Sequence, residues 1–202
     1  MNLEIPINLA VEDDLSEAVL RRLLPDKYLV GTCYKRGGSG YLKKNIRGFN
    51  NATKGMPFLL LTDLDREECA PKLIKEWLRG SVHHHNLLFR VAVREVESWI
   101  LADRNRFAKF LGIGKTLVPP NVDAIDDPKE CLINLATKSR KRELQEDIVP
   151  AEGSTAKQGP NYNGRLISFV EEFWDPNEAM QCSPSLKRTI KAIENFRPKW
   201  EA

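Results

Sequence analysis

Hydrophobic and polar positions along the chain fall into two regimes. In the first, short apolar runs alternate with stretches of helical period. Ile5 to Val11 is a β-leaning run that stops at the acidic cluster Glu12, Asp13, Asp14. Leu15, Ala18, Val19, Leu23 and Leu24 then recur at i, i+3, i+4 spacing, with Asp13 or Asp14 placed to cap a helix and Pro25 to end it. Tyr28 to Tyr34 is a second apolar run, followed by Gly37-Gly38-Ser39-Gly40 and a weakly periodic basic segment. Met56 to Thr62 is apolar on both faces, as a central parallel strand requires, and runs directly into Asp63-Leu64-Asp65. A helix from about Glu67 to Arg79 follows, then a fourth strand from Leu87 to Val93, after which Val96, Ile100, Phe107 and Leu111 have the spacing of helices packed toward a sheet.

Repeated strand–helix pairs predict an α/β fold with a mainly parallel sheet of about four strands and right-handed crossovers. From Pro119 onward the β pattern vanishes. Helices are expected over Pro128 to Ile148, Gly164 to Phe173 and Ser185 to Phe196, with a polar loop from Ala151 to Asn163. A loop of that length is often functional. The expected organisation is an α/β domain over residues 1–115 and a helical extension over 116–202 packed on the same core.

Composition narrows the chemistry. A charge of +3, from 31 basic and 28 acidic residues, is too small for a chain-wide basic footprint, so any polyanion contact must come from local clusters. The four cysteines lie far apart without metal-ligand spacing and read as buried thiols in a reducing cytoplasm. No apolar run approaches the roughly 18 residues of a membrane span, which makes a cytoplasmic location the simplest expectation.

In an open parallel sheet, ligands bind beyond the carboxyl ends of the strands. Glu12 and the pair Asp63 and Asp65 are expected on that edge. Two carboxylates at i and i+2 leaving one strand, with a third from a neighbouring strand end, make a patch of hard oxygen donors suited to Mg²⁺ or Mn²⁺. Helix capping in a solvated turn is the alternative for the DxD alone. Glu97, near the end of the fourth strand, is a further candidate ligand, with an ion pair between Arg94 and an acid as the rival reading.

Other features carry less. Adjacent side chains in His83-His84-His85 diverge, so a polar loop is expected there rather than a metal site. Lys138, Arg140, Lys141 and Arg142 are expected on the mixed-charge face of a helix, with a nucleic-acid backbone patch as the alternative. Lys35, Arg36, Lys43, Lys44 and Arg47 have a better claim to phosphate. The Gly-rich turn does not match a nucleoside-triphosphate loop. Trp77, Trp99, Trp174 and Trp200 are read as packing residues, and Tyr162 as the one candidate for base stacking.

VEDDLSEAVLRRLL at the first strand end and LLLTDLDREE at the third resemble the two acidic motifs of Toprim domains. Together with RVAVREVESWILAD (Arg90 to Asp103), FLGI (Phe110 to Ile113), GPNYNGRLISFV (Gly159 to Val170) and SPSLKR (Ser183 to Arg188), they resemble a bacterial Toprim-like family, domain of unknown function 4276. Toprim nucleases of the overcoming-lysogenization-defect type are related to it. The resemblance implies a Rossmann-like fold and metal-dependent hydrolysis of DNA or RNA, with an ABC-type ATPase as possible partner in anti-phage defence. Asp63 and Asp65 would hold Mg²⁺ or Mn²⁺, and Glu12 would share the ion or act as general base. Arg94 and Lys187 are candidates for charge at the scissile phosphate. The chain departs from the pattern in having Asp13 where Gly usually follows the first acid, and Ser16 where a further acid often stands. Asp13, Asp14 or Glu17 are possible substitutes. A non-catalytic binding or regulatory module working with an ATPase is the alternative. A primase or topoisomerase role is disfavoured by the short chain and the lack of zinc-binding cysteines.

Overall fold

A computed structural model describes residues 4–200. Its chain order is β1 (Ile5–Ala10), α1 (Asp14–Leu23), β2 (Tyr28–Tyr34), α2 (Gly38–Ala52), β3 (Phe58–Asp63), α3 (Ala70–Leu78), β4 (Leu87–Ala92), α4 (Val96–Ala102), α5 (Arg104–Leu111), α6 (Pro128–Ala136), α7 (Arg142–Ile148), α8 (Tyr162–Glu172), α9 (Pro176–Ala179) and α10 (Pro184–Asn195). The four strands form one all-parallel sheet in the order β2-β1-β3-β4, flanked by helices, as the alternating pattern predicts. The chain divides into two compact units, one running up to Val93 and resuming at Arg188, the other spanning Arg94–Lys187. Among the described residues no helix is long and apolar enough to cross a membrane.

In the sheet unit, β3 is buried along Phe58–Thr62 because both of its faces are covered. Phe58 and Leu60 pack with Leu42, Ile46 and Phe49 of α2 and Trp77 of α3, while Leu59 and Leu61 are buried on the other face. Each such side chain contributes about 1.5–3 kcal/mol when fully withdrawn from water. The edge strand β2 carries one extra residue against β1, where the register shifts between Ile7 and Leu9. Asn8 repairs the interrupted ladder, its Oδ1 accepting the Thr32 N–H at 2.9 Å. A Cβ on Gly31 would lie 2.7 Å from that same oxygen, so the repair requires glycine there. The end of the chain rejoins this unit, where the Tyr28 hydroxyl donates to Ile193 O and Asn86 pairs with the Lys199 backbone.

The helical unit is organised by two fully buried tryptophans. Trp99 Nε1 donates to Ser185 Oγ at 2.7 Å, and Trp174 Nε1 donates to Trp99 O at 3.1 Å. Both indoles thereby satisfy their one polar group. Val96, Ile100, Phe107 and Leu111 are buried as their spacing predicts, on two helices that meet at Asp103. That buried carboxylate caps α5 through Arg106 N, whose N–H is left free by the helix start, and also accepts the Asp175 N–H.

The helix expected from Pro128 to Ile148 is likewise two helices. Ser139 is buried in the gap, and its hydroxyl donates to Leu111 O at 2.6 Å. A tertiary bond thus outweighs local helix propensity. The basic run from Lys138 therefore lies largely in the connection between α6 and α7 rather than on a helical face. Of the tryptophans, Trp77, Trp99 and Trp174 are buried, but Trp200 is 54% exposed and packs no core. The cysteines also differ from expectation, with Cys69 exposed and the other three only half-buried.

The loop after α7 is tied back to that helix. Gly159 N donates to Ile148 O and Asn161 N to Asp147 O. A Cβ on Gly159 would stand 2.4 Å from Asp147 O and 2.6 Å from the Ile148 carbonyl carbon, both backbone atoms that cannot swing aside. Gly159→Ala is expected to lower stability by about 1–3 kcal/mol, read as a shift in the urea midpoint. An unchanged midpoint would show that the loop is not held against α7.

Candidate metal centre at the carboxyl ends of β1 and β3

In the order β2-β1-β3-β4, successive connections leave β1 in opposite directions, so the topological switch point lies between β1 and β3. Parallel pairing aligns Ala10 with Leu60, which carries Glu12, two residues on, alongside Thr62. Contacts follow that register. Glu12 Oε1 accepts a hydrogen bond from Thr62 Oγ1 at 2.5 Å and from the Asp63 backbone N–H at 2.9 Å. The two acidic motifs, fifty residues apart in sequence, are thus joined directly at the strand ends.

Local geometry places the aspartates. Leu64 is buried in the core and its N–H still bonds to Ala92 O, continuing the ladder one residue past β3. With Leu64 anchored inward, Asp63 is half-buried at the rim and Asp65 is exposed. Asp65 sits in the left-handed region at φ 50°, a conformation that aspartate tolerates better than most residues. The expected helix start at Glu67 is displaced, since the turn through Asp65 runs on and α3 begins only at Ala70, with Pro71 in its first turn.

Burial pushes the Glu12 carboxyl above its usual range, and the charges of Asp65 and Asp13 act in the same direction. The hydrogen bonds from Thr62 and Asp63 oppose this without cancelling it. Like charges gathered at a partly buried rim are relieved by a cation, and carboxylate oxygens are the donors that Mg²⁺ prefers. Among the described residues no three His, Cys, Asp or Glu side chains converge as a ready-made metal cage. Mg²⁺ does not require one, because it usually keeps several waters and takes one or two carboxylates beside substrate phosphate.

Neighbouring acids are committed elsewhere. Asp13 is the N-cap of α1, its Oδ1 accepting the Ser16 N–H at 2.8 Å. Asp14 and Glu17 both pair with Lys35, each at 2.5 Å, and Glu17 also holds Arg21. Lys35 is correspondingly raised above its ordinary pKa and is occupied by these acids, which weakens its claim to phosphate. Lys43, Lys44 and Arg47 instead line a cavity of about 450 Å³ with Arg79 and Trp77.

Arg94, Glu97 and Lys187 belong to the helical unit. Lys187 is exposed on α10. Glu97 is buried, and its Oε1 accepts from the Tyr162 hydroxyl at 3.0 Å and pairs with Lys129 Nζ at 3.5 Å. Tyr162 is therefore a buried hydrogen-bond donor, and its ring is not available to stack on a base. Beside this group, Glu95 Oε2 accepts the Lys129 N–H at 2.9 Å. Burial, with the charge of Glu97 adding to it, pushes the Glu95 carboxyl up to about 7. The sequence pattern places Glu95 with Arg94 and Glu97 at the end of the fourth strand but assigns no role to it or to Thr62. Thr62 carried a usable signal, as the one hydroxyl ending an otherwise apolar central strand directly before the DxD.

In His83-His84-His85, His83 Nε2 lies 2.9 Å from Leu87 O and the His84 and His85 rings stack, an arrangement of a polar loop. No family model, curated protein or solved structure matches the chain.

Proposed function

We propose that the chain is a divalent-metal-dependent phosphodiesterase acting on nucleic acid, the activity implied by its resemblance to Toprim nucleases. The observation that carries this reading is the direct bond between Glu12 and the Asp63 backbone at the switch point of a parallel sheet. Asp63 and Asp65 would hold Mg²⁺ or Mn²⁺, which when bound supplies positive charge to the phosphate oxygens and acidifies a water. Glu12 is fixed through Oε1 by Thr62 and Asp63, which leaves Oε2 to take a proton from an attacking water. A carboxyl raised by burial is a stronger base than a solvated one.

A second reading is a non-catalytic binding or regulatory module that works beside an ABC-type ATPase. It is favoured by the fate of the acids near Ser16. Ser16 is itself buried, and Asp13, Asp14 and Glu17 are engaged in capping or with Lys35, so none stands ready as ligand for a second ion.

Incubation of the purified chain with plasmid, single-stranded DNA and total tRNA, with Mn²⁺ or Mg²⁺ and with EDTA, separates the two. Cleavage that requires the metal is the expected result. No cleavage of any substrate by folded protein, alone or with an ATPase partner, would leave the binding module as the better account.

A further inference from the structure

Within the helical unit, α5, the start of α7 and the end of α8 enclose a cavity of about 810 Å³ that the metal-centre reading does not use. This volume is within the range of sites that take a small organic ligand, roughly 300–1,000 Å³. Its apolar wall is aromatic. Phe110 and Phe173 lie 6.3 Å apart between ring centroids, and Phe173 is 50% exposed, an unusual position for a large apolar side chain beside a concavity. Its rim is cationic, with Arg106, Lys109, Lys141, Arg142 and Arg165 facing two acids, Glu143 and Glu172.

The cations divide into two kinds. Arg106 is held by Asp103 and Asp175, Arg142 by Glu146, and Arg165 by Asp147 and Glu143. Each guanidinium has five N–H donors, more than these carboxylates occupy, so the acids orient the forks without exhausting them. Lys109 and Lys141 have no carboxylate within ion-pair distance among the described residues. Lys141 is nonetheless positioned, for its stem runs over Gly112 and its Nζ sits 5.9 Å from the Phe110 ring. Gly112 ends α5 in the left-handed conformation at φ 69°, which brings the backbone close under that stem.

We infer that this cavity binds a nucleotide, with the base stacked on the exposed ring of Phe173 beside Phe110 and the phosphates on Lys109, Lys141 and the arginine rim. The two rings are tilted by 41°, so a flat base stacks on one of them at a time, an aromatic contact that still favours a base over an aliphatic chain; cations contributed by three separate helices suit a multiply charged group rather than a single carboxylate. The same chemistry is offered by a free nucleotide and by one residue of a single strand.

Calorimetric titration of the full chain with ADP, inorganic pyrophosphate and a short oligodeoxythymidylate tests this. ADP is expected to bind saturably at one site per chain. Lys109→Gln/Lys141→Gln should weaken ADP and pyrophosphate together, by roughly tenfold or more for two lost charge contacts. Phe173→Ala should weaken ADP by roughly tenfold while leaving pyrophosphate unchanged. These residues are solvent-facing, and thermal melts identify any variant that fails to fold, in which case the single Lys109→Gln variant carries the comparison. Displacement of ADP by the oligonucleotide assigns the site to a strand, and its failure assigns it to the free nucleotide. Absence of saturable ADP binding, or binding equal in wild type and the double variant, overturns the inference, as does equal loss of ADP and pyrophosphate in Phe173→Ala. Asp63→Asn should bind ADP as the wild type does, so failure of the metal-centre reading leaves this result standing.

Discussion

Asp63→Asn is expected to reduce metal-dependent cleavage by at least about a hundredfold, the scale on which loss of one electrostatic contact to a reacting group is felt. The substitution keeps shape and removes charge. Asp63 ends β3, and its backbone N–H, which holds Glu12, is untouched by the change. The fold should therefore survive while Mn²⁺ affinity, read by titration calorimetry, falls. Glu12 permits a finer separation. In Glu12→Gln the amide oxygen can still accept from Thr62 Oγ1 and Asp63 N, so structure is retained and proton acceptance is lost. In Glu12→Ala the buried Thr62 hydroxyl loses its acceptor, which should cost about 1–3 kcal/mol of stability in addition. If Asp63→Asn cleaves like the wild type, the strand-end carboxylates are capping and packing groups and the metal centre is elsewhere or absent.

The parallel sheet was legible because β3 is apolar on both faces and β1 ends abruptly in acid, patterns that only a covered central strand and a strand-end loop satisfy together. Strand order was not legible in the sequence, but the contact between Glu12 and the DxD required only that β1 and β3 be neighbours. What escaped was tertiary. The junction at Asp103 and the break around Ser139 come from side chains whose partners are distant in sequence, Asp175 for the first and Leu111 for the second. No helical period encodes such partners. SPSLKR shows the same limit. Its lysine stands out as a charge, yet the residues that organise it are Ser183, which donates to Asp123 and caps Leu186, and Ser185, which receives the Trp99 indole. The aromatic wall of the cavity is tertiary in the same way, since Phe110 at the end of α5 and Phe173 just after α8 meet only in the fold.

Glu95 yields the second large effect, one that appears only as a dependence on pH. Its carboxyl is raised to about 7 in the folded chain from an ordinary 4.5. Between those values the folded state binds more protons than the unfolded state, so stability falls as pH rises through this window and the penalty is complete above it. Below about pH 4.5 both states are protonated and the penalty is absent. Glu95→Gln keeps an oxygen that can accept the Lys129 N–H and removes the charge next to Glu97. The variant should match the wild type in acid and exceed it by on the order of 2–3 kcal/mol at about pH 8, a little under the full linkage value because the side chain is only partly buried. Urea unfolding of both proteins across that range gives the difference directly. A constant difference at every pH would mean that the Glu95 carboxyl titrates normally. A difference that opens as pH rises through neutrality would show that the cluster of Glu95, Glu97, Lys129 and Tyr162 holds a proton that ordinary carboxylates release well below it.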